Sequence, residues 1–286
     1  MTDPDTKRLR RPGPRAWLAL VLALLLAALY VPVIHEGAIL WITNDNYAHG
    51  VFIFPIAIAL VWLQRRRLLE ARQAPTAWGL PVLAAGLLIE LLGYVLQCKG
   101  LEIASLVPSL AGAVLILHGW DAWRLTSFPI CFLVFAARLP GALFEPLSHG
   151  IQRASSIGAA ALMSILRYPI LRSGSIIQLP GMTLDVADAS SGFKKLIALV
   201  AFAFLYGYLL RADLWKRVVL VISAVPIAVV ANIVRVSLLI AVTARWGDPA
   251  FHLAHNSAEL LVLVISFFLF VGLGKRLGCE TTRFSP

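Results

Sequence analysis

The sequence predicts an all-α polytopic membrane protein with about eight transmembrane helices, and three observations predict it. Of the 286 residues, 59% are hydrophobic and only 14% are charged, whereas about a quarter of a soluble domain is charged. Mean hydropathy is +0.83. The apolar residues come in uninterrupted runs near the length an α-helix needs to cross hydrocarbon, not in the alternating segments of roughly ten residues that build a membrane barrel.

In chain order the spans read as roughly 16–34, 50–64, 79–97, 101–118, 125–137, 191–210, 217–244 and 257–274. The fifth is short and extends toward Arg138. The run Ala16–Val33 follows a basic leader and is long enough to span, with no clear small-residue cleavage site after it, so no cleavable signal is expected. The leader holds Lys7, Arg8, Arg10, Arg11 and Arg15 and is expected to stay in the cytoplasm. Alternation then puts Arg65, Arg66, Arg67 and Arg72 inside, followed by Arg124, by Arg211, Lys216 and Arg217, and by Lys275, Arg276 and Arg283. Both termini are therefore expected in the cytoplasm, as tails 1–15 and 278–286 around one membrane domain, 16–277. The net charge of +10 lies mostly on that inner face. Its expected partner is anionic lipid, not nucleic acid. Cys98, Cys131 and Cys279 have neither metal-ligand spacing nor a disulfide framework, and nothing in the sequence asks for a metal or a cofactor.

Residues 138–189 break the pattern, being too long for a simple connection. They are expected at the outer face, with a helix near Pro146–Leu166 that mixes apolar residues with His149, Gln152 and Arg153. A small hairpin follows over Ser173–Val186, with Pro180-Gly181 at its turn. Long ordered loops in compact domains are often functional.

The most informative residue is Arg235, deep in the seventh span. An arginine in hydrocarbon costs about 2.5–3.5 kcal/mol on insertion scales. Asn232 shares its helical face. The topology carries Ser190, Ser191 and Gly192 (start of the sixth span), Arg235, and His252 and His255 (before the eighth) to one depth near the outer surface. His49 opens the second span there. A hydroxyl, an imidazole and a guanidinium make a plausible acyl-transfer set of nucleophile, base and oxyanion-stabilising cation. Each residue also has a plain structural role: a serine at a helix start caps it, a lone interfacial histidine is usually a satisfied polar group, and an arginine can snorkel to the headgroups.

At these residues the chain resembles the exosortase/archaeosortase family of membrane cysteine transpeptidases, along most of its length. Tyr47-Ala48-His49-Gly50 through Pro55 to Trp62 and Arg65 is similar to the family's opening motif. Phe128-Pro129 through Arg138-Leu139-Pro140 resembles its proline-containing stretch. Gly174 through Leu179-Pro180-Gly181 and Val186–Gly192 resembles the approach to its nucleophile. Asn232-Ile233-Val234-Arg235 matches its asparagine-x-x-arginine, and His255 matches its histidine better than His252 by spacing.

The resemblance implies a bacterial inner-membrane enzyme that cuts the C-terminal sorting tail of secreted proteins (a short motif, a transmembrane helix and a basic end) on the outer face. It would do so through an acyl-enzyme and pass the acyl group to an acceptor. Position 190 would be the nucleophile, His255 the acid/base, Arg235 the stabiliser of oxyanion or thiolate, and Asn232 its orienting partner. This chain departs from the pattern in reading Ser190-Ser191-Gly192 where the family has cysteine, serine, glycine. A thiol ionises readily beside a cation, whereas an alcohol needs a base at the moment of attack. The substitution therefore predicts a silenced or impaired enzyme. Glu259, where relatives tend to carry a small residue, is a second departure. Two other readings stay open: an intramembrane serine protease using Ser190 and His255, and a non-catalytic binding protein or anion transporter built on Arg235.

Overall fold

The computed structural model describes residues 13–44, 47–138, 141–174, 176–179, 182–185 and 192–279. These residues fall into two units. The first runs to Leu40 and resumes over Val51–Ala137; the second comprises Trp41–Gly50 and the chain from Arg138 onward.

The first unit contains α1 (Pro14–Thr43, passing into the second unit at its end), α2 (Gly50–Leu63), α3 (Arg65–Glu70), α4 (Gly79–Val95), α5 (Lys99–Leu117) and α6 (Trp120–Phe132). A 3-10 turn, Leu133–Ala136, continues α6, so the short fifth span ends as a tightened helix. At about 1.5 Å per residue α1 is longer than a ~30 Å hydrocarbon core requires. It extends nine residues past the expected boundary at 34. Its Leu18, Leu24, Leu25 and Val31 point outward, as apolar side chains do when lipid is the solvent.

The tightest packing in this unit joins α4 to α5. Gly79, Gly86 and Gly93 recur every seven residues and form the buried face of α4 together with Glu90. Small residues let helix backbones approach closely in membranes, where lipid offers no hydrophobic drive for association. Opposite them lie Gly112, Ser109 and Glu102 of α5.

The second unit contains α7 (Gly141–Ile165), strands β1 (Leu171–Ser173), β2 (Ile176–Leu179) and β3 (Met182–Asp185), then α8 (Gly192–Leu209), α9 (Leu214–Ile222), α10 (Ala224–Trp246) and α11 (Asp248–Arg276). The expected hairpin is present as β2–β3, pairing Leu179 with Met182 and Ile176 with Asp185. β1 adds a third antiparallel strand on β2. Ile177 is fully buried among Ala159, Met163, Val236, Leu239 and Ile240, so one side chain pins the sheet to α7 and α10. On α7, Ile151, Ser155, Ala159 and Met163 make a buried stripe at four-residue spacing, while His149 and Arg153 stay exposed. That amphipathic pattern is the one expected for this helix.

The seventh span, expected over 217–244, lies within the apolar run Leu214–Trp246, whose helix breaks for one residue at Ser223 between α9 and α10. Pro226 lacks the N–H that would bond to the carbonyl of Ile222; the flanking bonds Ser223 N–H to Val219 O and Ile227 N–H to Ser223 O remain. The helix that carries the expected eighth span begins earlier than 257. Gly247 at φ 77° and Pro249 in the first turn start α11 at Asp248, because proline suits a first turn whose N–H groups have no intrahelical partner. His252 and His255 are therefore helical, not in a preceding loop.

Among the described residues, Ala16–Thr43, Lys99–Leu117 and Leu214–Trp246 are long and apolar enough to cross a membrane. Gly50–Leu63, Gly79–Val95 and Ile197–Leu209 are shorter apolar helices.

Candidate functional site

Arg235 and Asn232 owe their position to the stripe of α10 that faces the protein. Ala224, Ile227, Ala228, Ala231, Asn232, Arg235, Val236, Leu239, Ile240 and Thr243 are all buried, a spacing of three and four that a helix turns into one face. That face packs on α7, α8 and α11. Arg235 lies eleven residues from either end of α10, about 16 Å from each at 1.5 Å per residue. Its exposure is 0% and that of Asn232 is 1%. A snorkelling arginine would show its head at the surface; this one does not.

Asn232 is unusual among buried amides. Among the described residues neither its Oδ1 nor its Nδ2 has a hydrogen-bond partner. A buried polar group left unpaired costs about 1–3 kcal/mol. Asn232→Leu is therefore expected to raise thermal stability by a few degrees while lowering whatever activity the site has. A fall in melting temperature would show that the amide is structural.

The neighbouring elements carry the other sequence-predicted residues to differing extents. Gly192 begins α8, which packs on α10; Ser190 and Ser191 lie outside the described residues. His252 and His255 sit one turn apart near the start of α11, which packs on both α10 and α8; their side chains lie outside the described residues. His49 is half-buried in the turn between α1 and α2.

A contact beside His49 had no counterpart among the expected site residues. The Arg138 guanidinium stands 5.6 Å from the centroid of the Tyr47 ring, within cation–π range. Tyr47 and Arg138 belong to two different sequence motifs, and their separate appearance in those motifs was the available signal. Gly50, closing the first motif, lies against the Trp41 indole, where an added Cβ would come within 2.6 Å of Nε1.

Two of the cavities are apolar. One of about 710 Å3 lies in the first unit among α1, α2, α5 and α6. Another of about 370 Å3 lies in the second unit between α8 and α11, lined by Leu199, Phe202, Leu263 and Phe267. Neither is lined by Asn232 or Arg235. Among the described residues no cluster of His, Cys, Asp and Glu suits a metal ion.

No curated protein and no solved structure matches the chain significantly. The family model described as Transmembrane exosortase (Exosortase_EpsH) matches residues 41–272. That match runs from the end of α1 into α11 and takes in every candidate site residue. The description implies a sorting transpeptidase of the cysteine type, integral to a membrane, whose substrates carry C-terminal sorting signals. With the match covering well over half its length, the chain belongs to the transmembrane exosortase family.

Proposed function

We propose that this chain is an exosortase-type transpeptidase whose nucleophile position is occupied by Ser190, leaving it silent or strongly impaired. Its site works at the outer face of a bacterial cytoplasmic membrane, within one eight-span domain whose termini are cytoplasmic. In the thiol form of the reaction, the group at position 190 attacks the carbonyl of the scissile peptide and forms a tetrahedral oxyanion. Arg235, helped by the Asn232 Nδ2 donor, stabilises that oxyanion. His255 protonates the departing amine, and a thioester remains. The acceptor's nucleophile then gives up a proton to His255, attacks the thioester and releases the thiolate. His49 and His252 line the approach, and Gly192 lets α8 start directly after Ser191.

The observation that supports this reading best is a fully buried arginine one helical turn from a buried amide with no partner among the described residues, on the face of α10 that meets α8 and α11. A buried guanidinium beside such an amide is useful as a preorganised anion site. A serine alcohol in place of a thiolate removes the ground-state nucleophile without altering that surround.

The test is to co-express Ser190→Cys with a secreted protein carrying a sorting motif, a transmembrane helix and a basic end. Cleavage of the tail is expected with the thiol form, and none, or at least about 100-fold less, with Ser190. A serine-reactive fluorophosphonate is expected to leave the unaltered protein unlabelled. Labelling that disappears in Ser190→Ala would instead establish a serine protease.

A further inference from the structure

Outside the candidate site, the first unit buries a second set of polar groups. Glu90 on α4 is 7% exposed and Glu102 on α5 is 2% exposed, with Ser105 and Ser109 fully buried beside them. Acidic residues inside apolar helices are expensive and generally functional, and neither the family motifs nor the proposed reaction uses these. The groups connect in a file. The Tyr30 hydroxyl of α1 lies 2.8 Å from Ser109 Oγ and 2.9 Å from Ser105 Oγ. Ser105 Oγ lies 2.7 Å from Glu90 Oε2 and 2.6 Å from the carbonyl oxygen of Glu102. At the exposed end, Lys99 Nζ bridges Glu36 Oε2 at 2.9 Å and Glu102 Oε2 at 3.0 Å.

Ser105 Oγ is placed to donate to both the Glu102 carbonyl and Glu90 Oε2, but it has one hydrogen, so the count of protons along this file bears on the state of Glu90. A serine hydroxyl has one hydrogen and can accept two bonds. Ser105 faces three oxygens. The Glu102 carbonyl oxygen can only accept, so at 2.6 Å it takes the Ser105 hydrogen. Tyr30 can donate to Ser105, with Ser109 donating to Tyr30 in turn. That leaves the 2.7 Å contact with Glu90 Oε2, for which Ser105 has no hydrogen left. An ionised carboxylate has none to offer either, and two bare oxygens at that distance repel. The contact is satisfied if Glu90 is a carboxylic acid whose O–H donates to Ser105 Oγ. Each of the two lone pairs and the single hydrogen of Ser105 is then used once.

A second observation concerns the same cluster. Among the described residues Glu102 Oε1 is buried without a hydrogen-bond partner. Lys99 bonds to Glu102 through Oε2, whereas among the described residues Glu90 has no salt bridge. The titratable groups facing Glu90 are Tyr30 from α1 and Lys99 and Glu102 from α5; the lysine bonds to both Glu36 and Glu102.

We propose that Glu90 is a proton-binding site, a carboxyl kept protonated at neutral pH, whose bound proton ties α1 and α5 to α4 through Ser105 and Tyr30. If the proton leaves, the Ser105 hydroxyl must turn to Glu90. The Glu102 carbonyl then faces a bare oxygen, and a carboxylate stands among apolar helices. The proton is thus the ligand that closes the network, and the Lys99–Glu36 end is where the file meets the surface.

The inference does not depend on the transpeptidase reading and is tested without any substrate. Infrared spectra of the purified full chain in lipid nanodiscs at neutral pH are expected to show a protonated-carboxyl stretching band. That band should be lost in Glu90→Gln and retained in Glu102→Gln. Glutamine keeps an N–H donor for Ser105, so the variant is expected to fold. Should it not, Ser105→Ala supplies the reading, since removing the acceptor is expected to move the band while leaving its area intact. Absence of the band in the unaltered protein would overturn the proposal. So would a band that survives Glu90→Gln, or one that Ser105→Ala leaves unmoved.

Discussion

In the Ser190→Cys form, Arg235→Leu is expected to abolish tail cleavage, with a loss of at least about 100-fold and a persisting helical fold. The size follows from what a preorganised donor at a developing oxyanion contributes in mutagenesis, roughly 10²–10³ in rate. Leucine is a good helix former and of comparable apolar volume to the arginine stem, so α10 retains its packing on α7, α8 and α11. The informative comparison is between rate and stability. Replacing a buried charge with a well-packed apolar residue is often neutral or stabilising, unless a partner is left stranded. A collapse of cleavage with a melting temperature unchanged within a few degrees identifies a catalytic guanidinium. A melt lowered in proportion to the lost activity would make Arg235 a structural residue and remove the central support of the proposed reaction. Arg235→Lys should fall between, since a point charge replaces a planar fork.

The other large effect belongs to the first unit. Gly86→Leu is expected to prevent α4 and α5 from pairing, seen as aggregation in detergent or as a melting temperature lower by many degrees. A Cβ at Gly86 would come within 2.6 Å of the Ser109 backbone nitrogen and 3.0 Å of its Cα, neither of which can swing aside as a side-chain end can. Overpacking a tight interface costs about 1–3 kcal/mol even when neighbours adjust, and here the neighbour is backbone. The change would also displace Ser109 from Tyr30, 2.8 Å away, and so loosen α1. Gly272→Leu is a fair control, because nothing lies within 4 Å of a Cβ there. Equal behaviour of the two variants would show that the glycine repeat is incidental.

The glycine repeat was present in the sequence at 79, 86 and 93 but carried no meaning without a partner helix. Its role depends on Gly112, Ser109 and Glu102 standing opposite. The same holds for Glu90, which reads as one acid in an apolar run until Ser105, itself bonded to Tyr30, is seen to meet it. By contrast Arg235 and Asn232 were legible directly, because a charge within a long apolar run is anomalous on composition alone and a three-residue spacing defines a shared helical face. The break at Ser223 is not legible in sequence, because Pro226 near a helix start is compatible with either a new helix or a kink. The start of α11 at Asp248 is not legible either, because His252, His255 and Asn256 are polar residues outside the apolar run. In a helix that begins before its apolar stretch, polarity marks only where the hydrocarbon begins.

By itself the sequence determined that the chain lives in a membrane, since composition and run length alone fix which solvent a helix tolerates. It also determined the family, whose short motifs keep their order along residues 41–272. Only the tertiary structure decided that Arg235 is sealed inside the protein rather than reaching lipid, and that Asn232 has no hydrogen-bond partner among the described residues. It alone decided which oxygens crowd Ser105. Burial and hydrogen-bond satisfaction are properties of neighbours brought together from distant parts of the chain, and no local pattern encodes them.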